Sequence, residues 1–139
     1  QFVSRSKAPG AFDSRSNDSG ENNLFGTSAT DNNHFTITAA LHDTTPNQDV
    51  YVENAKIVTM MNPMNYLGSP AATNARYYRI RYGTADSNTS VAIPLIVGTR
   101  AQNLGYNVDM ATPFDVDHSG DYDLEDLFNW MDNIVKNGR

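Results

Sequence analysis

Apolar residues recur along this chain with two different periods, and the places where the period changes mark its elements. From Arg76 to Tyr82 the sequence runs R-Y-Y-R-I-R-Y, rich in aromatic and strand-favouring residues and stopped by Gly83, which predicts a β-strand. Ser90 to Leu104 then places Ile93, Ile96, Val97, Ala101 and Leu104 at helical spacing, with Pro94 near the start and Gly105 just past the end. That pattern predicts an amphipathic helix. Asn107 to Thr112 alternates again, Val108 and Met110 against Asp109, and Pro113 ends it, predicting a second short strand. Finally Leu124, Leu127, Phe128, Met131, Ile134 and Val135 form one apolar helical stripe, with Asp123 as a candidate N-cap, Lys136 near the C-terminus and Gly138 as a stop.

The predicted order over residues 76 to 137 is strand, helix, strand, helix: a βαβα unit of the α/β class with a parallel strand pair. Strands of that kind are buried on both faces. Two strands and two helices cannot cover themselves, so the rest of the sheet is expected to come from sequence outside this chain. In open α/β sheets chemistry sits at the carboxyl ends of strands, and two loops qualify, Gly83 to Ser90 and Pro113 to Asp123.

Upstream the pattern is weaker. Residues 34 to 41 alternate at first and then lose the alternation, so strand and short helix both fit. Thr44 to Asp49 reads as a turn, Val50 to Met61 carries scattered apolar residues, and Asn62 to Asn65 interrupts any regular element. From Gln1 to His34, 17 of 34 positions are Ser, Asn, Gly or Asp, a composition that cannot build a core by itself. Phe2, Phe12, Leu24 and Phe25 are the anchors expected to pin this irregular stretch onto other protein.

Composition narrows the class. The 139 residues amount to about one domain. The absence of cysteine rules out a disulfide scaffold and any thiolate metal site. No apolar run approaches the length of a transmembrane helix, and a start at Gln1 without a leader is the expectation for a piece or a processed product. The net charge of −6 is uneven: residues 109 to 139 hold 8 acids and 2 bases, and residues 1 to 108 hold 8 of each. An acidic end on a neutral body argues against nucleic acid and anionic membranes as partners.

Candidate chemistry concentrates in the second loop. Its run D-V-D-H-S-G-D-Y-D-L-E-D, residues 115 to 126, puts Asp115, Asp117, Ser119, Gly120, Asp121, Asp123 and Asp126 where a calcium-binding loop wants oxygen ligands and a sharp turn. No helix precedes it, and Asp126 stands where a bidentate Glu is usual. A calcium-dependent binding or docking module is therefore one reading, and an acid-rich helix start favoured by the helix dipole is another. His118 lies in the same loop, placed to act as a general base, with Asp86 after the neighbouring strand as its orienting carboxylate. The 32 residues between them are enough for one strand, a crossover helix and a second strand. His34 and His42 have no such context and read as structural or surface residues. A serine hydrolase also needs a nucleophile, displayed in α/β hydrolases in a G-x-S-x-G elbow. None occurs; Gly26-Thr27-Ser28-Ala29-Thr30 fails at the second glycine. A missing nucleophile and a missing sheet both point upstream.

These residues carry a family resemblance. Y-R-I-R-Y-G-T-A-D-S-N-T-S (78–90), M-M-N-P-M-N-Y (60–66) and P-F-D-V-D-H-S-G-D-Y-D-L (113–124) resemble the C-terminal part of bacterial tannases and related feruloyl-esterase-like hydrolases. K-A-P-G-A-F-D (7–13) and S-G-E-N-N-L-F-G (19–26) resemble the lid insertion of the same family. The resemblance implies an α/β-hydrolase fold of which this chain is the C-terminal βαβα part, residues 64–139, preceded by a lid-type segment, residues 1–63. It implies that Asp86 and His118 are the acid and base of a Ser-Asp-His triad whose serine lies on an absent N-terminal portion, without which this chain is inactive. It further implies that Lys7 and Glu21 bind the phenolic hydroxyls of a galloyl group. Asn88 stands where the family has an aspartate, two positions after the triad acid. An amide both donates and accepts, whereas a carboxylate only accepts, so galloyl and hydroxycinnamoyl esters are both candidate substrates. Tyr82 stands where the family often has histidine. The partners implied are the N-terminal portion and a phenolic ester; no cofactor and no metal are implied, and the compartment stays open.

Overall fold

The computed structural model describes residues 13–25, 32–45, 55–118 and 122–138. In chain order the elements are α1 (Gly20–Leu24), α2 (Ile37–Leu41), α3 (Ala55–Met61), a 3-10 turn at Pro63–Asn65, β1 (Tyr77–Arg81), α4 (Ala92–Asn103), β2 (Asn107–Ala111) and α5 (Leu124–Asn137). The four elements expected after residue 76 are present in the expected order. β1 and β2 pair in parallel, with register running from Tyr77 opposite Asn107 to Arg81 opposite Ala111.

Strand alternation sends successive side chains of β1 to opposite faces, and each face meets a different helix. On one side Ile80 and its partner Met110 lie under α4, close enough that a Cβ on Gly98 would sit 2.7 Å from Met110 Sδ. The missing side chain is what lets the helix approach the sheet. On the other side Tyr77 donates through its hydroxyl to the Gly138 carbonyl at 2.7 Å, and Arg79 and Arg81 reach Asp123. β1 thus holds both ends of α5.

Four expectations change here. In α4 the buried residues are Pro94, Gly98 and Ala101, while Ile96 is exposed, so the helix meets the sheet through its smallest side chains. The stripe predicted for α5 splits: Leu127 and Ile134 are half-buried, whereas Leu124, Phe128, Met131 and Val135 are exposed, Val135 to 80%. Asp123 precedes α5 but makes no side-chain cap, because its carboxylate is held by the two arginines. The strands, expected to be buried on both faces, are half-buried in most positions.

The segment from Asp13 to Thr45 is knit by polar groups. Asp13 Oδ2 accepts from the Phe35 amide (2.9 Å), the Thr36 amide (2.7 Å) and the Thr36 hydroxyl (2.8 Å). Its Oδ1 accepts from Asn22 Nδ2 at 2.7 Å and lies 2.8 Å from His34 Nδ1. His34 is fully buried, and its Nε2 is 3.2 Å from Asp43 Oδ2 without hydrogen-bond alignment. Burial by itself would raise the Asp13 pKa, but the bonds from His34, Asn22 and Thr36 outweigh it and bring it below the ordinary value. Asn22 and Asn33, also buried, bond to the Asn33 and Phe25 carbonyls. Ser19 caps α1 and Thr36 caps α2, and the second cap settles the ambiguous stretch as a helix over 37–41. Of the expected anchors, Phe25 stacks on Phe35 with centroids 4.7 Å apart, but Leu24 is 64% exposed and anchors nothing. Phe2, Phe12 and most of the predicted turn at 44–49 lie outside the described residues. No helix among the described residues is long and apolar enough to cross a membrane.

Candidate active site

The two loops singled out by the strand order meet at the end of the sheet. Tyr82 continues the ladder through its amide to the Ala111 carbonyl (3.1 Å), and the bonding then passes between the loops themselves. Thr84 N–H donates to Pro113 O, Ala85 N–H to Val116 O, and the Asp115 amide to the Thr84 hydroxyl at 2.8 Å. Gly83 makes this approach possible: a Cβ there would lie 2.1 Å from the Val116 carbonyl oxygen.

These staples bring Asp86 and His118 together. His118 Nδ1 is 2.9 Å from Asp86 Oδ2. The other carboxylate oxygen of Asp86 accepts from the Asn88 amide (2.7 Å) and the Thr89 amide (2.9 Å), so both oxygens are engaged. Asp86 is buried and the His118 side chain is 53% exposed. Burial would raise the Asp86 pKa, but the Thr89 amide, His118 and the Asn88 amide together bring it below the ordinary carboxylate value. For His118 the hydrogen bond to Asp86 dominates and, with the charge of Asp86, raises the imidazole above its usual value. An ionised carboxylate only accepts, so Nδ1 carries the proton in this bond and Nε2 faces away with its lone pair outward whenever the ring is neutral. A buried acid fixing the tautomer of an accessible imidazole is the arrangement a general base requires. A cleft of about 550 Å³ opens beside the pair, lined among others by Ile80, Tyr82, Ile93 and Val97.

The other predicted site residues are not gathered in the same way. Glu21 lies half-buried in the first turn of α1, and the Asn88 side chain is exposed next to the acid, while the Asn88 backbone N–H donates to Asp86. Lys7 lies outside the described residues. Of the loop 115–126, Ser119, Gly120 and Asp121 lie outside the described residues; within the rest, Asp117 accepts from the His118 amide at 2.7 Å. Asp123 is bound by Arg79 and Arg81, and chiefly the Arg79 hydrogen bond holds its carboxyl below the ordinary pKa. A carboxylate used by two guanidinium groups is a poor calcium ligand. Among the described residues no three His, Asp or Glu side chains are grouped to hold a metal ion.

Two features of the site are not evident from sequence pattern alone. Arg81 also pairs with Asp109 at 2.8 Å, so two arginines and two aspartates bind β1 to β2 and to the start of α5. Arginines two apart on a strand, followed by an acid-rich helix start, are the signal that could have found it. Tyr82, buried under the acid loop, donates through its hydroxyl to the Thr89 carbonyl at 3.0 Å.

Comparison with solved structures finds tannases. A tannase from Lactobacillus plantarum matches with 42% identity and a TM-score of 0.79, covering 89% of this chain and 26% of that one. Tannase from Fusobacterium nucleatum matches with 42% identity and a TM-score of 0.77, covering 94% of this chain and 28% of that one. A tannin acyl hydrolase in complex with ethyl gallate is 44% identical, with a TM-score of 0.76 over 89% of this chain and 26% of its own. No family model and no curated protein matches the chain. The chain spans about a quarter of the length of the tannases it matches. With that identity and structural agreement over nearly nine-tenths of its residues or more, the chain belongs to the tannase-like family, at the C-terminal portion.

Proposed function

We propose that this chain supplies the acid and base of a serine esterase that hydrolyses phenolic-acid esters, galloyl esters first and hydroxycinnamoyl esters second. The observation that carries the reading is the 2.9 Å contact of His118 Nδ1 with buried Asp86, formed across two loops at the carboxyl ends of neighbouring parallel strands. The family resemblance, and a relative solved with ethyl gallate, support the substrate class.

In this reading an N-terminal portion of the same protein brings the nucleophilic serine and the sheet neighbours of the strand pair. His118 Nε2 takes the serine proton as Oγ attacks the ester carbonyl, and collapse of the tetrahedral intermediate expels the alcohol with that proton. Water then attacks the acyl-serine while Nε2 takes its proton; the phenolic acid departs and the proton returns to serine. Asp86 keeps the proton on Nδ1 and stabilises the imidazolium that forms twice per turnover. Residues 64–139 act as core and residues 1–63 as a lid-type segment, from which Lys7 and Glu21, together with Asn88, bind the ring hydroxyls and orient the acyl group. Expressed alone, residues 1–139 are expected to hydrolyse nothing, because two parallel strands lack neighbours and the pair lacks a nucleophile.

The test is kcat/KM of the full-length enzyme for methyl gallate, methyl ferulate and methyl benzoate. The wild type is expected to prefer the hydroxylated rings. Glu21→Ala should lower kcat/KM for gallate roughly 10- to 100-fold, the cost of a lost hydrogen bond to a charged group, and spare benzoate. Asn88→Asp should move preference toward gallate, since a carboxylate accepts charge-assisted bonds from adjacent phenols and a methoxy group has none to give. Parallel changes for all three esters would remove these residues from ring recognition, and failure to hydrolyse any of them would overturn the esterase reading.

A further inference from the structure

Past the staples at Thr84 and Ala85, the loop that carries Asp86 folds back on Asp86 itself. Between Thr84 and Thr89 the side chains of Ser87 and Asn88 are exposed, and the amides of Asn88 and Thr89 fold back on the Asp86 carboxylate. A carboxylate bound by the amides of its own loop swings wherever that loop swings. A contact from the sheet ties down the far side of the loop. Tyr82 is anchored through its main chain to the end of β2, lines the same cleft as Ile80, and is 4% exposed. A buried phenol hydroxyl needs a partner, and this one donates to the carbonyl of Thr89 at 3.0 Å. Thr89 is also the residue whose amide binds Asp86 Oδ1 at 2.9 Å. The aromatic ring is a rigid strut with few rotatable bonds, so it fixes the distance between strand end and loop.

We infer that Tyr82 is a positioning residue for the reaction: through the Thr89 main chain it sets the Asp86 carboxylate so that Oδ2 meets His118 Nδ1. The inference rests on the reading of Asp86 and His118 as acid and base. It also gives a role to the tyrosine at a position where the family often has histidine.

The experiment uses the full-length enzyme, with Tyr82→Phe, which removes one oxygen and keeps the ring. Turnover of methyl gallate is expected to fall about 3- to 10-fold, the size of one hydrogen bond expressed as a rate, with KM within about twofold. The acid limb of the kcat/KM profile should move to lower pH. Asp86 and Asp117 are the carboxylates that raise the His118 pKa, and a misplaced Asp86 raises it less. In an Asp86→Asn background the same substitution should cost nothing further, because Tyr82 acts through the carboxylate already removed. Wild-type kcat and acid limb in Tyr82→Phe would overturn the inference, and so would a change confined to thermal stability or a full additional loss on top of Asp86→Asn. Asp86→Asn with undiminished turnover would overturn the underlying reading instead, which separates the two failures.

Discussion

The two halves of this molecule are held together by different chemistry. From Tyr77 to Asn137 the frame is a parallel ladder, with a helix brought down on one face through Gly98 and a second helix pinned to the other through Tyr77, Arg79 and Arg81. From Asp13 to Thr45 there is no sheet among the described residues, and the fully buried side chains are Asn22, Asn33 and His34 around Asp13. A ladder spreads its strength over many equivalent backbone bonds. A polar hub concentrates it in one carboxylate, since a buried donor left without its acceptor keeps the whole cost of desolvation. The first kind of frame holds Asp86 and His118 within hydrogen-bond reach across two loops. The second makes the segment depend on a few side-chain bonds rather than on a repeated backbone pattern.

The contrast is broken most severely at Asp13. Asp13→Ala strands His34, Asn22 and the amides of Phe35 and Thr36, and is expected to be strongly destabilising, at about 1–3 kcal/mol for each buried group left without its partner. Hydrogen exchange on the full-length enzyme should show protection lost across 13–45 and kept in β1, α4 and β2. Loss spread evenly over both regions would mean that the hub is not a separate unit.

Gly83→Ala is the matching break in the other half. A Cβ 2.1 Å from a backbone oxygen cannot be absorbed by a side-chain swing, so the two loops must part. Overpacking of this kind costs about 1–3 kcal/mol. Displacement of the pair by even about 1 Å should lower kcat roughly 100-fold. Exchange protection should fall in 82–86 and 113–118 with 13–45 unchanged; normal turnover would show that the close approach does not set the pair.

Acid acts on the two regions more gently. The Asp13 pKa is lowered in the folded state. Its contribution is therefore present above the unfolded-state value, near about 4, and is lost as pH falls through the lower folded value. Exchange in 13–45 should rise in that window before the backbone ladder yields. The shift is opposite for His118: its raised pKa gives a stability contribution present below about 6.5 and lost as pH rises through the folded value, whereas the neutral base form that the proposed reaction needs is lost as pH falls through that same value.

The sequence disclosed the ladder half because periodicity reports which face of an element is apolar. β1, β2 and both helices fall within about two residues of the expected bounds, and the 32-residue spacing of Asp86 and His118 follows from the strand–helix–strand order. It did not disclose the hub, since nothing local tells a buried asparagine from a loop asparagine; Asn22 and Asn33 are fixed by partners distant in the chain. It misplaced Asp123 for a related reason. A helix-start aspartate ordinarily caps, and only the register of β1 reveals two arginines aimed at it. Leu24 has the type of an anchor, yet it is exposed on a five-residue helix whose buried position is Asn22.

If Asp86 and His118 work as one acid–base unit, kcat for methyl gallate in full-length Asp86→Asn and His118→Ala reports it. The Asp86→Asn substitution should keep the fold but hold His118 in the wrong tautomer. Turnover should drop by up to roughly 10⁴, the loss known for the same substitution in a serine-protease triad, with His118→Ala at least as damaging. Near wild-type turnover in either variant, with the fold intact, would contradict the account.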